Sequence, residues 1–455
     1  MSMNRRSFLG TLAATAALAR AQPNRPNIIF ILADDLGYGD LGCYGQQRIE
    51  TPNIDRLAAQ GMKFTQAYAG ACVCAPSRSC LLTGTHGGHT RLRDNIPHGV
   101  FLRPDDVTLA EVLKQAGYQT AGYGKWSLGN PGSQGIPIRQ GFDEYFGHLN
   151  QDQAHFYYPD YLWNNDQVEL LFGNRGVKRT EYAPDLFTER ALDFIERNRE
   201  RPFFSYLAYT LPHWSDYDKN SPESQIVPSD EPYSNEKWPQ VEKNYAAMVT
   251  RLDRDVGRIM ERLKELGIDS NTLIIFSSDN GPSAEAVHKP AFFNSAGPFR
   301  GVKRDMYEGA IRVPMIARWP GKIEAGAVND HVCAFWDMLP TLAELAGVPA
   351  PAGIDGISIV PTLLGKTQES HEYLYWDYGH VRETYKQAVR MGNWKGVRVG
   401  VRAPLELYDL SEDPGETKNV ADQLPDVVAK IEEILKKARV PTPDYPVKAL
   451  DGSGG

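Results

Sequence analysis

Two stretches of this chain end in the same way. Asn27 to Ala33, Asn-Ile-Ile-Phe-Ile-Leu-Ala, is a continuous apolar run that closes on Asp34-Asp35, and Thr272 to Ser278, Thr-Leu-Ile-Ile-Phe-Ser-Ser, closes on Asp279-Asn280. A strand with no polar face must be covered on both sides, which is the condition of a parallel sheet between two layers of helices. The segments between and around these runs supply such helices. Thr108 to Ala116, Asp185 to Arg199 and Glu242 to Leu266 have helical periodicity, the last with Met248, Leu252, Val256, Ile259, Leu263 and Leu266 at spacings of three and four. Gln119 to Tyr123 and Pro202 to Tyr209 read as further strands. The alternation predicts an α/β fold: a large, mostly parallel, doubly wound sheet flanked by helices.

Beyond a region rich in Gly and Pro, from Val348 to Gly365, the pattern changes. Short strands at Tyr373–Trp376, Ala388–Met391, Trp394–Val401 and Leu405–Leu410, then a helix at Pro425–Lys437, predict a smaller C-terminal antiparallel sheet plus helix. A chain of 455 residues is longer than one core usually supports. The expected division is a catalytic α/β domain over 23–365 and a smaller α+β subdomain over 366–455, with a loosely held tail from Pro441. Residues 1–22 read as an export signal. Asn4-Arg5-Arg6-Ser7-Phe8-Leu9-Gly10 resembles a twin-arginine leader, followed by a short apolar run and the small-residue site Ala19-Arg20-Ala21. A periplasmic or extracellular protein without stable membrane insertion is expected. A net charge of −8 argues against a nucleic-acid partner. The five cysteines are too few and too irregularly spaced for a disulfide scaffold or a zinc site, although one bridge, for example between Cys72 and Cys80, is open.

In open α/β sheets, ligands gather at the carboxyl ends of the strands, where the two acidic pairs lie. Asp34, Asp35, Asp279 and Asn280 offer hard oxygen ligands, which suit Ca²⁺ or Mg²⁺. With one of the four bidentate and an oxygen from residue 74 or from a substrate, the set reaches roughly six ligands, within the range of Ca²⁺.

The most distinctive stretch is Cys74-Ala75-Pro76-Ser77-Arg78-Ser79-Cys80-Leu81-Leu82-Thr83-Gly84. Pro76 biases Ala75 toward an extended conformation, and Ser77 suits the cap of a helix through Leu82. Cys74 would then sit just before a helix N-terminus, where an anion is favoured and Arg78 can reach back toward it. The order Cys-x-Pro-Ser-Arg followed by Leu-Thr-Gly resembles the signature of the type I, formylglycine-dependent sulfatases of the alkaline phosphatase superfamily, arylsulfatase-like. Further segments resemble the same family in the same order: Thr51–Asp55, Gly124-Lys125-Trp126, Thr210-Leu211-Pro212-His213, Gly297–Lys303, and Tyr408-Asp409-Leu410 with Asp413-Pro414.

That resemblance implies a sulfuric ester hydrolase. A maturation enzyme would convert Cys74 to formylglycine, and the hydrated aldehyde would attack the sulfur of a sulfated sugar or aryl sulfate. Asp34, Asp35, Asp279, Asn280 and residue 74 would hold Ca²⁺. Arg78, Lys125 and Lys303 would neutralise the sulfate, Asp279 would activate the nucleophile, and His213 with Lys303 would assist the leaving alcohol. One position departs from the family. Where it has Gly-Lys-Trp-His-Leu-Gly, with a histidine implied in sulfate release, this chain has Ser127. Serine donates a hydrogen bond but is no base near neutral pH, so His213, water or His288 would take that step. Two other readings follow from the same residues: a phosphoester or phosphonate hydrolase sharing the fold, and a non-catalytic binder of sulfated glycans. His86 and His89 would cap or pack, and the aromatic run from Tyr157 to Trp163 would stack on sugar or fill core.

Overall fold

The computed structural model describes residues 25–451 except 97, 98, 216, 218 and 222, so the export-signal expectation falls outside the described residues. Ten strands form one sheet. From edge to edge they are Ala327–Asn329, Met62–Phe64, Met315–Arg318, Thr272–Ser278, Asn27–Ala33, Phe203–Ala208, Gln119–Lys125, Glu144–His148, Tyr161–Asn164 and Gln167–Leu170. The two apolar runs are neighbours at the centre, parallel and in register with Ala33 opposite Ser278. Phe203–Ala208, Gln119–Lys125 and Glu144–His148 extend this parallel block.

Every residue of Asn27–Ala33 and Thr272–Ser278 is buried. Alternate side chains divide between two cores. Ile28, Phe30 and Leu32 pack with Leu109, Leu113, Leu339 and Leu342, while Ile29 and Ile31 pack with Phe187, Ile195, Met248 and Leu252. The second set belongs to helices Ala183–Arg197 and Gln240–Glu265. The margins give the sheet its mixed character. Met315–Arg318 runs antiparallel to both its neighbours, and Tyr161–Leu170 is a hairpin closed by Asn165, whose φ of 58° suits a tight reversal.

The second sheet, Leu374–Tyr378, Lys386–Met391, Trp394–Val399 and Glu406–Asp409, is antiparallel throughout. Helix Pro425–Lys437 covers one face through Ile431 and Leu435, while Leu374, Trp376 and Val397 on the other face pack with Val73, Cys80 and Trp336. The helix carrying the distinctive motif is thereby enclosed between the two sheets. The expectation of a loosely held tail is corrected up to residue 451. Tyr445 is fully buried, its hydroxyl donates to the Asp94 carbonyl at 3.3 Å, and Arg439 pairs with Asp451. All five cysteines are free thiols.

Candidate active site

Four adjacent parallel strands deliver side chains to one place. Asp279-Asn280, Asp34-Asp35, His213 and Lys125 lie at or just beyond the carboxyl ends of Thr272–Ser278, Asn27–Ala33, Phe203–Ala208 and Gln119–Lys125. The ladder continues past the strand ends, with the Asp279 N–H on the Ala33 carbonyl at 3.1 Å and the Asp34 N–H on the Leu211 carbonyl at 2.9 Å. Asp35 then turns into the left-handed region (φ 64°), which an aspartate tolerates better than most residues.

Cys74 comes from the opposite layer. Its helix spans Cys74–Thr83 with Val73 at the cap position, so it starts four residues earlier than a Ser77 cap would place it. Pro76 is accommodated because the first helical turn needs no N–H there. The Ser77 hydroxyl instead accepts the Gly70 N–H at 3.0 Å. Cys74 is fully buried as the first helical residue, and its Sγ shares a region no more than 4.8 Å across with ligand atoms of Asp34, Asp35 and His213.

Two lysines meet this cluster, each with a carboxylate and an imidazole. Lys125 Nζ donates to Asp34 Oδ2 at 2.8 Å and to His155 Nε2 at 3.0 Å; Lys303 Nζ donates to Asp35 Oδ2 at 2.9 Å and to His213 Nε2 at 3.1 Å. The two imidazoles stack at 3.5 Å. An ammonium has only donors, so both Nε2 atoms accept, and His213 Nδ1–H donates to the Trp214 carbonyl at 2.6 Å. Burial, followed by the neighbouring His155 and Lys303, holds His213 well below the ordinary histidine value, so it is neutral. Burial opposes the charge on Lys303, but Asp35 together with Cys74, Glu285 and Asp34 outweighs it and the ammonium persists.

Arg78 is fully buried. Its Nε and Nη2 donate to Asp279 Oδ2 at 3.0 and 2.8 Å, and its Nη1 donates to the Lys125 carbonyl at 2.8 Å. The guanidinium therefore orients Asp279 and ties two strand ends together. Burial, and then the charge of Asp34, push the Asp279 carboxyl up to about 7 despite Arg78.

Two oxygens bear on whether the cluster suits a metal ion. Asp34 Oδ1 and Asn280 Oδ1 are buried without a protein partner, while Asn280 Nδ2 donates to Asp35 Oδ1 at 2.8 Å. Buried polar atoms are seldom left orphaned. The donors are hard oxygens, and the His213 lone pair is taken by Lys303, so these residues fit a hard divalent cation.

The structure brings Asp34, Asp35, Cys74, Arg78, Lys125, His213, Asp279, Asn280 and Lys303 to this centre, leaves Ser127 lining an adjoining hollow, and adds three. His155 lies in a loop with no strand end to announce it. Asn95 and Gln151 point their amides at Cys74 Sγ, at 3.8 and 3.9 Å. Ser127 is in the left-handed region (φ 67°) with its hydroxyl buried and unpartnered. His288 is held by Glu242, Nδ1 to Oε2 at 2.5 Å, and lines a hollow with Asp35 and His213. In the aromatic run, Tyr157 is core, its hydroxyl on the Thr210 carbonyl at 2.8 Å, while Tyr161 and Trp163 lie half-buried on the edge hairpin.

His86, His89 and Asp355 form a second cluster within 4.8 Å. His86 Nδ1 accepts the Gly88 N–H at 3.1 Å, so its proton is on Nε2, facing Asp355. A protonated nitrogen has no lone pair for a metal, and the group reads as a clamp on Asp355 and the loop after the helix. Burial lowers His86 from 6.5 to about 4. The folded state therefore resists a proton that the unfolded chain takes up, and stability is lost as pH falls from 6.5 through 4. The full effect is roughly 3 kcal/mol. In urea titrations at pH 7.5 and 4.5, His86→Asn is expected to lose less stability on acidification than the wild type; an equal loss would show that His86 carries none of it.

Known proteins place this geometry. Residues 26–348 match the family model described as Sulfatase, and residues 300–440 match the one described as N-sulphoglucosamine sulphohydrolase, C-terminal. The mouse protein N-acetylgalactosamine-6-sulfatase is 34% identical over 85% of this chain and 75% of its own length. Human arylsulfatase A is 34% identical over 96% of this chain and 91% of its own. The solved structure of Ps i-CgsB in complex with k-i-k-neocarrahexaose superposes with a TM-score of 0.77 at 30% identity, over 92% of this chain and 93% of that one. The chain belongs to the sulfatase family of sulfuric ester hydrolases.

Proposed function

We propose that this enzyme hydrolyses sulfate monoesters of carbohydrates, using a formylglycine made from Cys74 and a calcium ion held by Asp34, Asp35, Asp279 and Asn280. The observation that carries the reading is the placement of Cys74 Sγ among Asp34, Asp35 and His213 atoms no more than 4.8 Å apart, with Lys125 and Lys303 on the two aspartates. Formylglycine, once hydrated, supplies one oxygen to attack sulfur and a second that expels sulfate when it loses its proton. A divalent ion adds positive charge where the sulfate oxygens lie.

The chain's own residues do the rest. Asp279, oriented by Arg78, accepts the proton of the attacking hydroxyl. Lys125 and Lys303 hold positive charge beside the sulfate in a water-poor site. Lys303 and His213, 3.1 Å apart, form a proton path to the leaving alcohol oxygen. The names of relatives support a sugar as the alcohol, one an N-acetylgalactosamine-6-sulfatase and one solved with k-i-k-neocarrahexaose. Export by the twin-arginine route, modification by a maturation enzyme, and a division near residue 365 belong to the same reading. The phosphonate monoester hydrolase of Agrobacterium radiobacter, at 20% identity and a TM-score of 0.65, shares the fold alone.

The test is the mass of the tryptic peptide Phe64–Arg78 from protein purified from its natural host, together with turnover of 4-nitrophenyl sulfate before and after chelation. An aldehyde at position 74, and activity lost to chelator and restored by Ca²⁺, are expected. Unmodified cysteine, with sulfated sugar bound but not hydrolysed, would favour the binding protein instead.

A further inference from the structure

We propose that Asn95 is a catalytic hydrogen-bond donor to the oxygens at position 74, with Gln151 as its companion, on the side of the site where Ser127 supplies no ring. The proposal rests on the sulfatase reading above for the identity of those oxygens. In the unmodified chain Cys74 Sγ marks the place of one of them.

The orientation of the Asn95 amide is fixed by the backbone. Its Oδ1 accepts the Ala75 N–H at 3.1 Å, so the other end of the amide, Nδ2, is the one that faces residue 74, at 3.8 Å from Sγ. Gln151 Nε2 approaches the same atom at 3.9 Å, and its Oε1 is buried without a partner. Asn95, Gln151 and Ser127 line one hollow, while Asp34 and Asp35 crowd Sγ from their own strand end. Position 74 thus has carboxylates and lysines about it and two amides reaching in from the hollow. An amide N–H donates to an oxyanion at any pH and accepts no proton, so the two amides supply hydrogen-bond donation at position 74 and leave the proton-accepting step to another group.

Asn95 is also held still. The preceding carboxylate, Asp94, is fully buried as a side chain and paired with Arg382 at 2.7 Å, and its carbonyl accepts the Tyr445 hydroxyl. The second sheet and the C-terminal segment therefore set the segment that carries the donor. A preorganised donor needs no reorientation as charge develops, and removing one of this kind costs about 10²-fold or more in kcat.

Asn95→Asp and Asn95→Ala separate the two ends of the side chain. The aspartate keeps an oxygen for the Ala75 N–H and loses the donor; the alanine loses both and adds no charge. Each would be assayed for kcat and KM on 4-nitrophenyl sulfate, for the Kd of inorganic sulfate by calorimetry, for melting temperature, and for aldehyde at position 74. Both variants are expected to carry the aldehyde, to lose about 10²-fold in kcat with little change in KM, and to bind sulfate about tenfold more weakly. Wild-type kcat and sulfate affinity in Asn95→Ala would overturn the proposal. So would an Asn95→Asp enzyme of normal activity beside an Asn95→Ala enzyme of low melting temperature, because Asn95 would then only anchor the helix start. A wild type that binds sulfate in an Asn95-dependent way but hydrolyses no ester would leave the donor in place and reject the sulfatase mechanism.

Discussion

Cys74→Ala is expected to abolish sulfate ester hydrolysis, by ~10⁴-fold or more in kcat, with the melting temperature changed by only a few degrees. The two halves of that expectation have different causes. Activity falls because no other atom in the cluster can become the nucleophile: Asp34, Asp35 and Asp279 are each held by a cation, and both imidazoles accept from lysines. Stability changes little because the side chain at 74 is small and its hydrogen bonds in the unmodified chain, both to amides, are long, so alanine leaves only a small gap. The residual rate measures what Lys125, Lys303 and the rest of the cluster do for a water molecule unaided. Turnover of 4-nitrophenyl sulfate and a thermal melt suffice. A variant retaining a tenth of wild-type activity would rule out residue 74 as the nucleophile.

Arg78→Ala is expected to have the largest effect on stability, roughly 3–5 kcal/mol, as well as removing activity. Arg78 and Asp279 are both fully buried, and the pair is joined by two hydrogen bonds to one carboxylate oxygen. Taking away the guanidinium leaves Asp279 without its ion-pair partner beside Asp34, which keeps Lys125, and also frees the Lys125 carbonyl. An uncompensated buried carboxylate must be protonated or hydrated, and both break the packing of the strand ends. Urea denaturation at neutral pH should show a midpoint far below the wild type. A midpoint within experimental error of it would mean that the buried charges are already neutralised by something other than Arg78.

Much of this centre could be read from the chain because its carriers are local patterns. Asn27–Ala33 and Thr272–Ser278 are apolar on both faces, and a run of that kind announces both its burial and the place where it ends. The motif from Cys74 to Gly84 works similarly, since its order is contiguous. What stayed hidden is long-range. His155, Asn95 and Gln151 lie in loops without periodicity, and only the closing of the fold sets them beside residues up to 121 positions away. The antiparallel margins were likewise illegible, because strands of three or four residues such as Met62–Phe64 and Tyr161–Asn164 carry too little pattern to show a direction. The start of the Cys74 helix was misplaced because serine after proline is a good cap in isolation, whereas here Gly70 claims its hydroxyl.

The complete burial of Cys74, on a helix with every residue buried between two sheets, also sets an order of events. An enzyme that modifies Cys74 would need access to it, and in the folded chain every residue of Cys74–Thr83 is buried. Under the formylglycine reading, conversion and folding are therefore two rates in competition for each newly made molecule. A molecule that folds first is trapped as the thiol for as long as it stays folded, because reopening needs near-global unfolding. The specific activity of a preparation then records the outcome of that race at synthesis, and varies with expression rate even when every molecule is correctly folded.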